Sequence, residues 1–445
     1  MSRRVDVVLG VICALFALEA VFLAPLNADA GYYLRLAHAH AGGAVPCRDA
    51  PCYYAPLAAV PLALAGGEPT LSILVMQVAV FGCALLTFRL ARTLGYDRRR
   101  STRTLLLSWA LLLANDGRGV VIEPFAVACL LLAANSFAAG RRSGSFLLAG
   151  LWVALGFWTK QYALLGWVGL LGVSLWEGKL RAAAAVSAGV ILGLGGGMLL
   201  LGLVGVETTG LLGLVRAGAY PNRPLWENLA TAPEMVGAAL LVLALSIGWV
   251  DRGPSSPNAR LLAAMLLAAL LPLSFRGYRH YWHFGIPFVV LLFGSPPPPT
   301  PPRWVLMAHR AATLLLALSI TLDLFRCIRD TSTDARFQQR AAAERLTVSS
   351  SGFARPLYLG DPSLLALVRA PILAPVDVGS RLAPFGSDQA NAVLAAADGV
   401  VWDTSWPGAD ELLLRLSADP AAELARRGFV RARTDGAVHV YERRK

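Results

Sequence analysis

The sequence predicts a polytopic α-helical membrane protein of about eleven spans, followed by a small soluble α/β domain. Three observations carry that expectation. The chain of 445 residues is 56% hydrophobic and only 15% charged, with a mean hydropathy of +0.56, too apolar for a soluble enzyme of this length. Apolar stretches recur at about 5–25, 70–90, 104–115, 119–138, 146–158, 161–176, 182–205, 234–250, 259–274, 283–294 and 304–325. Several fall short of the ~20 residues of a standard span, so tilted or broken helices are expected. Finally, the formal charge of +12 is gathered in short clusters between apolar stretches. Basic residues along one polar face would point to nucleic acid; clusters in alternate loops point to membrane orientation, and no nucleic-acid partner is expected.

The elements follow in order. If the spans alternate, one side collects Arg3, Arg4, Arg89, Arg92, Arg98, Arg99, Arg100, Arg103, Arg141, Arg142, Lys179, Arg181, Arg252 and Arg260. The positive-inside rule makes that side the cytoplasm and puts the N-terminus there. The extracytoplasmic side receives 26–69, 116–118, 159–160, 206–233, 275–282 and everything after 326. The first stretch imitates a cleavable signal, with Arg3-Arg4, an apolar core and Ala28-Asp29-Ala30. Its length and its Glu19 favour a retained span in the cell membrane. Pro296 to Pro302 reads as a stiff cytoplasmic connector, because another span follows it. The expected division is therefore a membrane domain over 1–325 and an extracytoplasmic α/β domain over 326–445. In the latter, strand-like Pro356–Leu359, Val400–Asp403 and Val438–Tyr441 alternate with helix-like Asp410–Leu416 and Ala421–Arg427.

The polar residues suited to chemistry fall on the outer side. Asp29 sits where the first stretch leaves the membrane and precedes an amphipathic helix, Tyr32 to His40, suited to the interface. Tyr53 and Tyr54 fit an interfacial aromatic belt. Cys47 and Cys52 lie in the same loop, where an oxidising compartment allows a disulfide; the alternative is two free thiols in a packed loop. Arg118 and Glu123 flank a short turn, and Lys160 sits in a very tight one. Arg276-Gly277-Tyr278-Arg279-His280-Tyr281-Trp282-His283 packs cations and aromatics together. Each has a plainer alternative: Lys160 as a snorkelling cation, Glu123 as a cap for the span starting at Pro124, the aromatics as anchors. No Cys and His cluster has zinc-like spacing, so no metal site and no cofactor are expected.

The order and spacing of four segments resemble the GT-C superfamily of integral-membrane glycosyltransferases, especially the branch of protein O-mannosyltransferases and the aminoarabinose lipid A transferase. The segments are Asp29-Ala30-Gly31-Tyr32-Tyr33 with Pro56-Leu57, Arg118 to Pro124, Gly150 to Lys160, and Arg279 to Pro287. The resemblance covers about residues 5–325 and implies a GT-C-like fold. It further implies a polyprenyl-phosphate sugar donor, an extracytoplasmic acceptor (lipid, glycan or protein) and inverting transfer with Asp29 and Glu123 as catalytic carboxylates. Lys160, Arg118, Arg276, Arg279, His280, Tyr32, Tyr33 and Tyr54 would bind lipid phosphate or sugar. Many relatives carry a second acid directly after the first, where this chain has Ala30, so transfer without a metal is expected. Two other classes compete: a transporter or lipid flippase using Asp29, Glu123 and Lys160 as its coupling site, and a non-catalytic assembly subunit whose tail binds a partner.

Overall fold

The computed structural model describes residues 3–45, 55–140, 143–206, 257–275, 279–294, 303, 307, 321–322, 325–368, 387–406, 409, 411–414 and 416–444. The chain packs as two compact units. One comprises Met1–Phe22, Tyr54–Ala58 and Ile73–Arg329; the other comprises Leu23–Tyr53, Ala59–Ser72 and Asp330–Lys445. Packing therefore groups the first loop, which precedes residue 325 in the chain, with the segments after Asp330.

The first unit is helical. Its elements are α1 (Arg3–Phe22), most of α4 (Pro69–Thr93), α5 (Arg98–Leu112), α6 (Glu123–Ala138), α7 (Ser143–Thr159), α8 (Leu165–Trp176), α9 (Leu180–Leu203), α10 (Pro257–Phe275) and α11 (Ile286–Gly294). They match the apolar stretches expected there; the stretch at 234–250 and nearly all of 304–325 lie outside the described residues. Two of these helices, α4 and α9, are long and apolar enough to cross a membrane. Apolar side chains line both the inside and the outside of the unit. Cys13, Val80, Leu112, Leu130, Val153, Leu170 and Phe288 are buried in one core. Val7, Val11, Leu15, Leu18 and Phe22 remain exposed along one face of α1, and Ile191, Leu192, Leu199, Leu200 and Leu203 are exposed on α9. Stripes of that length on water would drive association, whereas hydrocarbon accommodates them.

Local chemistry sets the helix ends. Asp97 caps α5 by accepting from Arg100 N–H. Gly95, at φ +86, lets Tyr96 N–H reach back to Ala91 O and close α4. Helices α7 and α9 approach closely along a glycine stripe at four-residue spacing, Gly189, Gly193 and Gly197, facing Gly150. A Cβ at Gly150 would lie 2.1 Å from Val186 O, and one at Gly197 2.3 Å from the Trp158 indole. Only glycine permits that approach.

The second unit contains α2 (Ala28–Ala41), the short α3 (Val60–Ala63), α12 (Ala335–Ser350) and a four-stranded sheet. The strands are β1 (Pro356–Leu359), β2 (Gly399–Asp403), β3 (Phe429–Asp435) and β4 (Val438–Arg443), in the order β1-β2-β4-β3. β1 pairs parallel with β2, Leu357 opposite Val400, and the remaining pairings are antiparallel. Helices α13 (Ser387–Ala396), α14 (Glu411–Leu414) and α15 (Pro420–Arg426) complete it. The period-two alternation of the strands feeds two cores: Leu357, Leu359 and Val400 join Leu394, Leu413 and Leu424, while Tyr358 and Val401 join Ala343 and Leu346 of α12. The small C-terminal sheet expected from the sequence is thus present.

Candidate functional site

In the first unit, three motif segments meet. Glu123 is the first residue of α6 and Pro124 the second, where proline costs no hydrogen bond. Lys160 follows α7 in an extended conformation, φ −150 and ψ 118, before a 3-10 turn over Gln161–Leu164. Its ammonium Nζ lies 2.7 Å from Glu123 Oε1, with side chains only 7% and 1% exposed. The same ammonium stands 5.2 Å from the centre of the Tyr281 ring, and that ring packs edge-on against Tyr162 at 5.1 Å. Burial of either charge alone would be costly, so each offsets the burial of the other, with the aromatic face beside them.

Neighbouring contacts fix this cluster. Leu57, from the Pro56-Leu57 motif, donates its N–H to Trp158 O at 2.8 Å, two residues before Lys160. Trp158 Nε1 donates to Gly193 O at 3.1 Å, so the glycine stripe of α9 anchors the end of α7 from which Lys160 leaves. After α5 the chain takes a π turn, Leu113–Gly117, a geometry that frees a carbonyl from the helical ladder. His283, fully buried, places Nε2 3.2 Å from Leu112 O. A carbonyl only accepts, so Nε2 carries the proton. Gln77 Nε2 donates to Gly117 O at 2.8 Å on the same turn.

Arg118 is held by a residue far away in sequence. Its guanidinium donates to both carboxylate oxygens of Glu19 on α1, with Nε to Oε2 at 2.9 Å and Nη2 to Oε1 at 2.6 Å. This bidentate pair tethers the loop before Glu123. Arg279 and His280 lie in a 3-10 helix, Arg279–Phe284; Arg276, Tyr54, Cys47 and Cys52 lie outside the described residues.

Asp29 belongs to the second unit. Asn27 caps α2 by accepting from Ala30 N–H at 2.8 Å, which places Asp29 at the second helical position. The N–H groups at the start of a helix favour a carboxylate there. Asp29 is partly exposed, Tyr32 half-buried, and Tyr33 buried. The helix expected from Tyr32 to His40 thus begins one turn earlier, with the acid inside it.

Several contributors escaped the sequence reading. In sequence Glu19 argues only for retention of the first span, and nothing local announces a partner 99 residues on. Tyr162 carries no motif at all. Tyr281 and His283 stood within a recognised segment, but their roles depend on packing. Among the described residues, no three of His, Cys, Asp and Glu cluster as metal ligands would.

No family profile matches the chain by sequence, and no curated protein does. Solved structures do match it by shape. ArnT from Cupriavidus metallidurans, in a structure bound to undecaprenyl phosphate, superposes with a TM-score of 0.58 at 13% identity, over 99% of this chain and 98% of that one. The Archaeoglobus fulgidus oligosaccharyltransferase tethered to an acceptor peptide gives 0.52 at 10% identity, over 100% of this chain and 74% of that one. AglB from the same organism, with an inhibitory peptide and dolichol-phosphate, gives 0.52 at 12% identity, over 99% and 74%. The chain therefore shares the fold of these structures.

Proposed function

We propose that the protein is a membrane glycosyltransferase that moves a sugar from a polyprenyl-phosphate donor to an extracytoplasmic acceptor. The observation that carries this reading is the buried Glu123–Lys160 pair beside Tyr281, in a chain whose fold is that of ArnT. In a crossing of about eleven spans, with basic loops in the cytoplasm, the segments 26–69, 116–118 and 159–160 are extracytoplasmic. The acceptor's nucleophilic oxygen or nitrogen attacks the anomeric carbon, Asp29 takes its proton, and the bond from that carbon to the phosphate oxygen breaks with inversion. Negative charge then gathers on the lipid phosphate. Lys160 answers it, with Glu123 holding the ammonium in place and Arg276 or Arg279 adding a planar grip on the oxygens. His280, Tyr32, Tyr33 and Tyr54 line the sugar or the lipid head, and Arg118 supports the site through its tether to Glu19. One carboxylate in Asn27-Ala28-Asp29 suits proton transfer rather than a divalent ion, so transfer proceeds without a metal.

Photo-crosslinking in nanodiscs tests the donor site. A polyprenyl-phosphate probe is expected to label wild type, with competition by undecaprenyl phosphate but not by a polyprenol lacking phosphate. Lys160→Met is expected to lose most of that labelling. Equal labelling of both proteins, or competition by the phosphate-free polyprenol, would rule out Lys160 as the phosphate site.

A further inference from the structure

The segment that introduces Asp29 is strapped at both ends by residues from beyond 330. On one side lies Leu26, three residues before the acid. Gln339 of α12 holds its peptide as a paired strand would: Leu26 N–H donates to Gln339 Oε1 at 2.8 Å, and Gln339 Nε2 donates to Leu26 O at 2.8 Å. One turn earlier on α12, the buried Arg336 reaches Ala24 O at 3.4 Å and Thr70 Oγ1 at 3.3 Å. On the other side lies Gly31, two residues after the acid. A Cβ there would stand 1.8 Å from Pro362 O, so helix α2 rests with bare backbone on the turn after β1.

These two straps are one network. Gln339 Nε2 also donates to Ser363 Oγ at 3.0 Å. Ser363 in turn donates through its hydroxyl to Asp361 Oδ2 at 2.7 Å and through its N–H to Asp361 Oδ1 at 2.9 Å. The turn that receives Gly31 is therefore tied to the side chain that grips Leu26. A backbone held by a two-point amide pair and a glycine contact has little freedom to shift along its helix axis. An unsupported interfacial helix would have that freedom.

We propose that Gln339, with Ser363 and Arg336, is a positioning set, and that the tail serves as a jig fixing the first-turn carboxylate of α2 for proton transfer. This rests on the reading of Asp29 as the base given above. The network itself is independent of that reading. Positioning of this kind acts on the turnover step rather than on donor binding, because misplacing a reacting group by about 1 Å costs on the order of a hundredfold in rate.

The test uses the full chain in nanodiscs and compares wild type with Gln339→Met, which keeps length and removes both hydrogen-bonding ends, and Gln339→Glu, which keeps the acceptor alone. Amide hydrogen exchange is read first, without substrate. The expected result is exchange at least about tenfold faster across 26–33 in Gln339→Met, intermediate in Gln339→Glu, and unchanged in β1 and β2. Unchanged exchange at 26–33 overturns the strap whatever the protein does. Transfer is read second: kcat is expected to fall roughly ten- to a hundredfold with KM for the polyprenyl-phosphate sugar unchanged. Faster exchange with unaltered kcat overturns the positioning role, and a raised KM with unaltered kcat assigns the set to binding instead. If Asp29→Asn is fully active, the base assignment has failed while the exchange result still decides the strap.

Discussion

The two polar centres are held by opposite means. Glu123 and Lys160 are buried among helices and held by charge, side chain to side chain. Asp29 is partly exposed and held through its backbone, by the Asn27 cap, the Gln339 amide and the Gly31 contact. A cation that must meet phosphate at the membrane edge gains from a low-dielectric setting, where its field is strong and a buried partner offsets the cost of its burial. A general base needs a fixed place within hydrogen-bond reach of the proton it takes. The comparison predicts that stability will be sensitive at the first centre and activity at both.

The largest effect is expected at Lys160. Lys160→Met leaves Glu123 buried without its ammonium and should cost about 3–5 kcal/mol, with transfer reduced on the order of a hundred- to a thousandfold. Thermal unfolding in detergent checks the first and turnover the second. Adding Glu123→Gln should restore much of the stability and none of the turnover, which separates the two contributions. If the double variant is as unstable as the single, the charge pair is not what the site depends on.

Next comes the tether. Arg118→Met removes the charge-assisted hydrogen bonds to Glu19 and should cost about 2 kcal/mol, again by thermal unfolding, and Glu19→Gln should cost nearly as much. Combining them should cost little more than either alone, since both break one pair. Strict additivity would mean that the two side chains act separately.

Asp29→Asn removes the favourable placement of a charge at a helix start and should cost up to about 1 kcal/mol by the same measure. The smallest effect is a pH slope in the tail. Burial raises the Asp361 carboxyl above its ordinary 3.8, against the opposing Ser363 hydrogen bonds, and nearby Asp403 adds to the rise. A carboxyl raised in the folded state keeps its proton longer there than in the unfolded chain. Stability contributed by that group therefore falls as pH rises from about 3.8 through the raised value. Asp361→Asn should flatten this slope, read as the pH dependence of Trp402 fluorescence during unfolding. A steeper slope would contradict the sign.

Much of this was legible in the sequence, for physical reasons. Apolar run length marked the helices of the first unit, and alternation marked β1, β2 and β4. β3 escaped because it is an edge strand, Phe429-Val430-Arg431-Ala432-Arg433-Thr434-Asp435, whose charged residues are exposed and carry no apolar alternation. Motif order pointed to Glu123 and Lys160 as candidate site residues. What could not be read were contacts of long sequence separation. Glu19 with Arg118, Gln339 with Leu26 and the glycine stripe of α9 under Trp158 are set by which helices become neighbours, and single-segment patterns do not encode that. The grouping of the first loop with the segments after Asp330 is of the same kind.

The most direct measurement compares surface glycolipids, glycans and glycoproteins by mass spectrometry in cells lacking the protein, complemented at matched membrane levels with wild type, Asp29→Asn or Lys160→Met. The expected result is that wild type alone restores one sugar-bearing species, while both variants accumulate charged polyprenyl-phosphate donor and unmodified acceptor. Full restoration by Asp29→Asn and Lys160→Met would contradict the transferase reading and favour a protein that moves lipids.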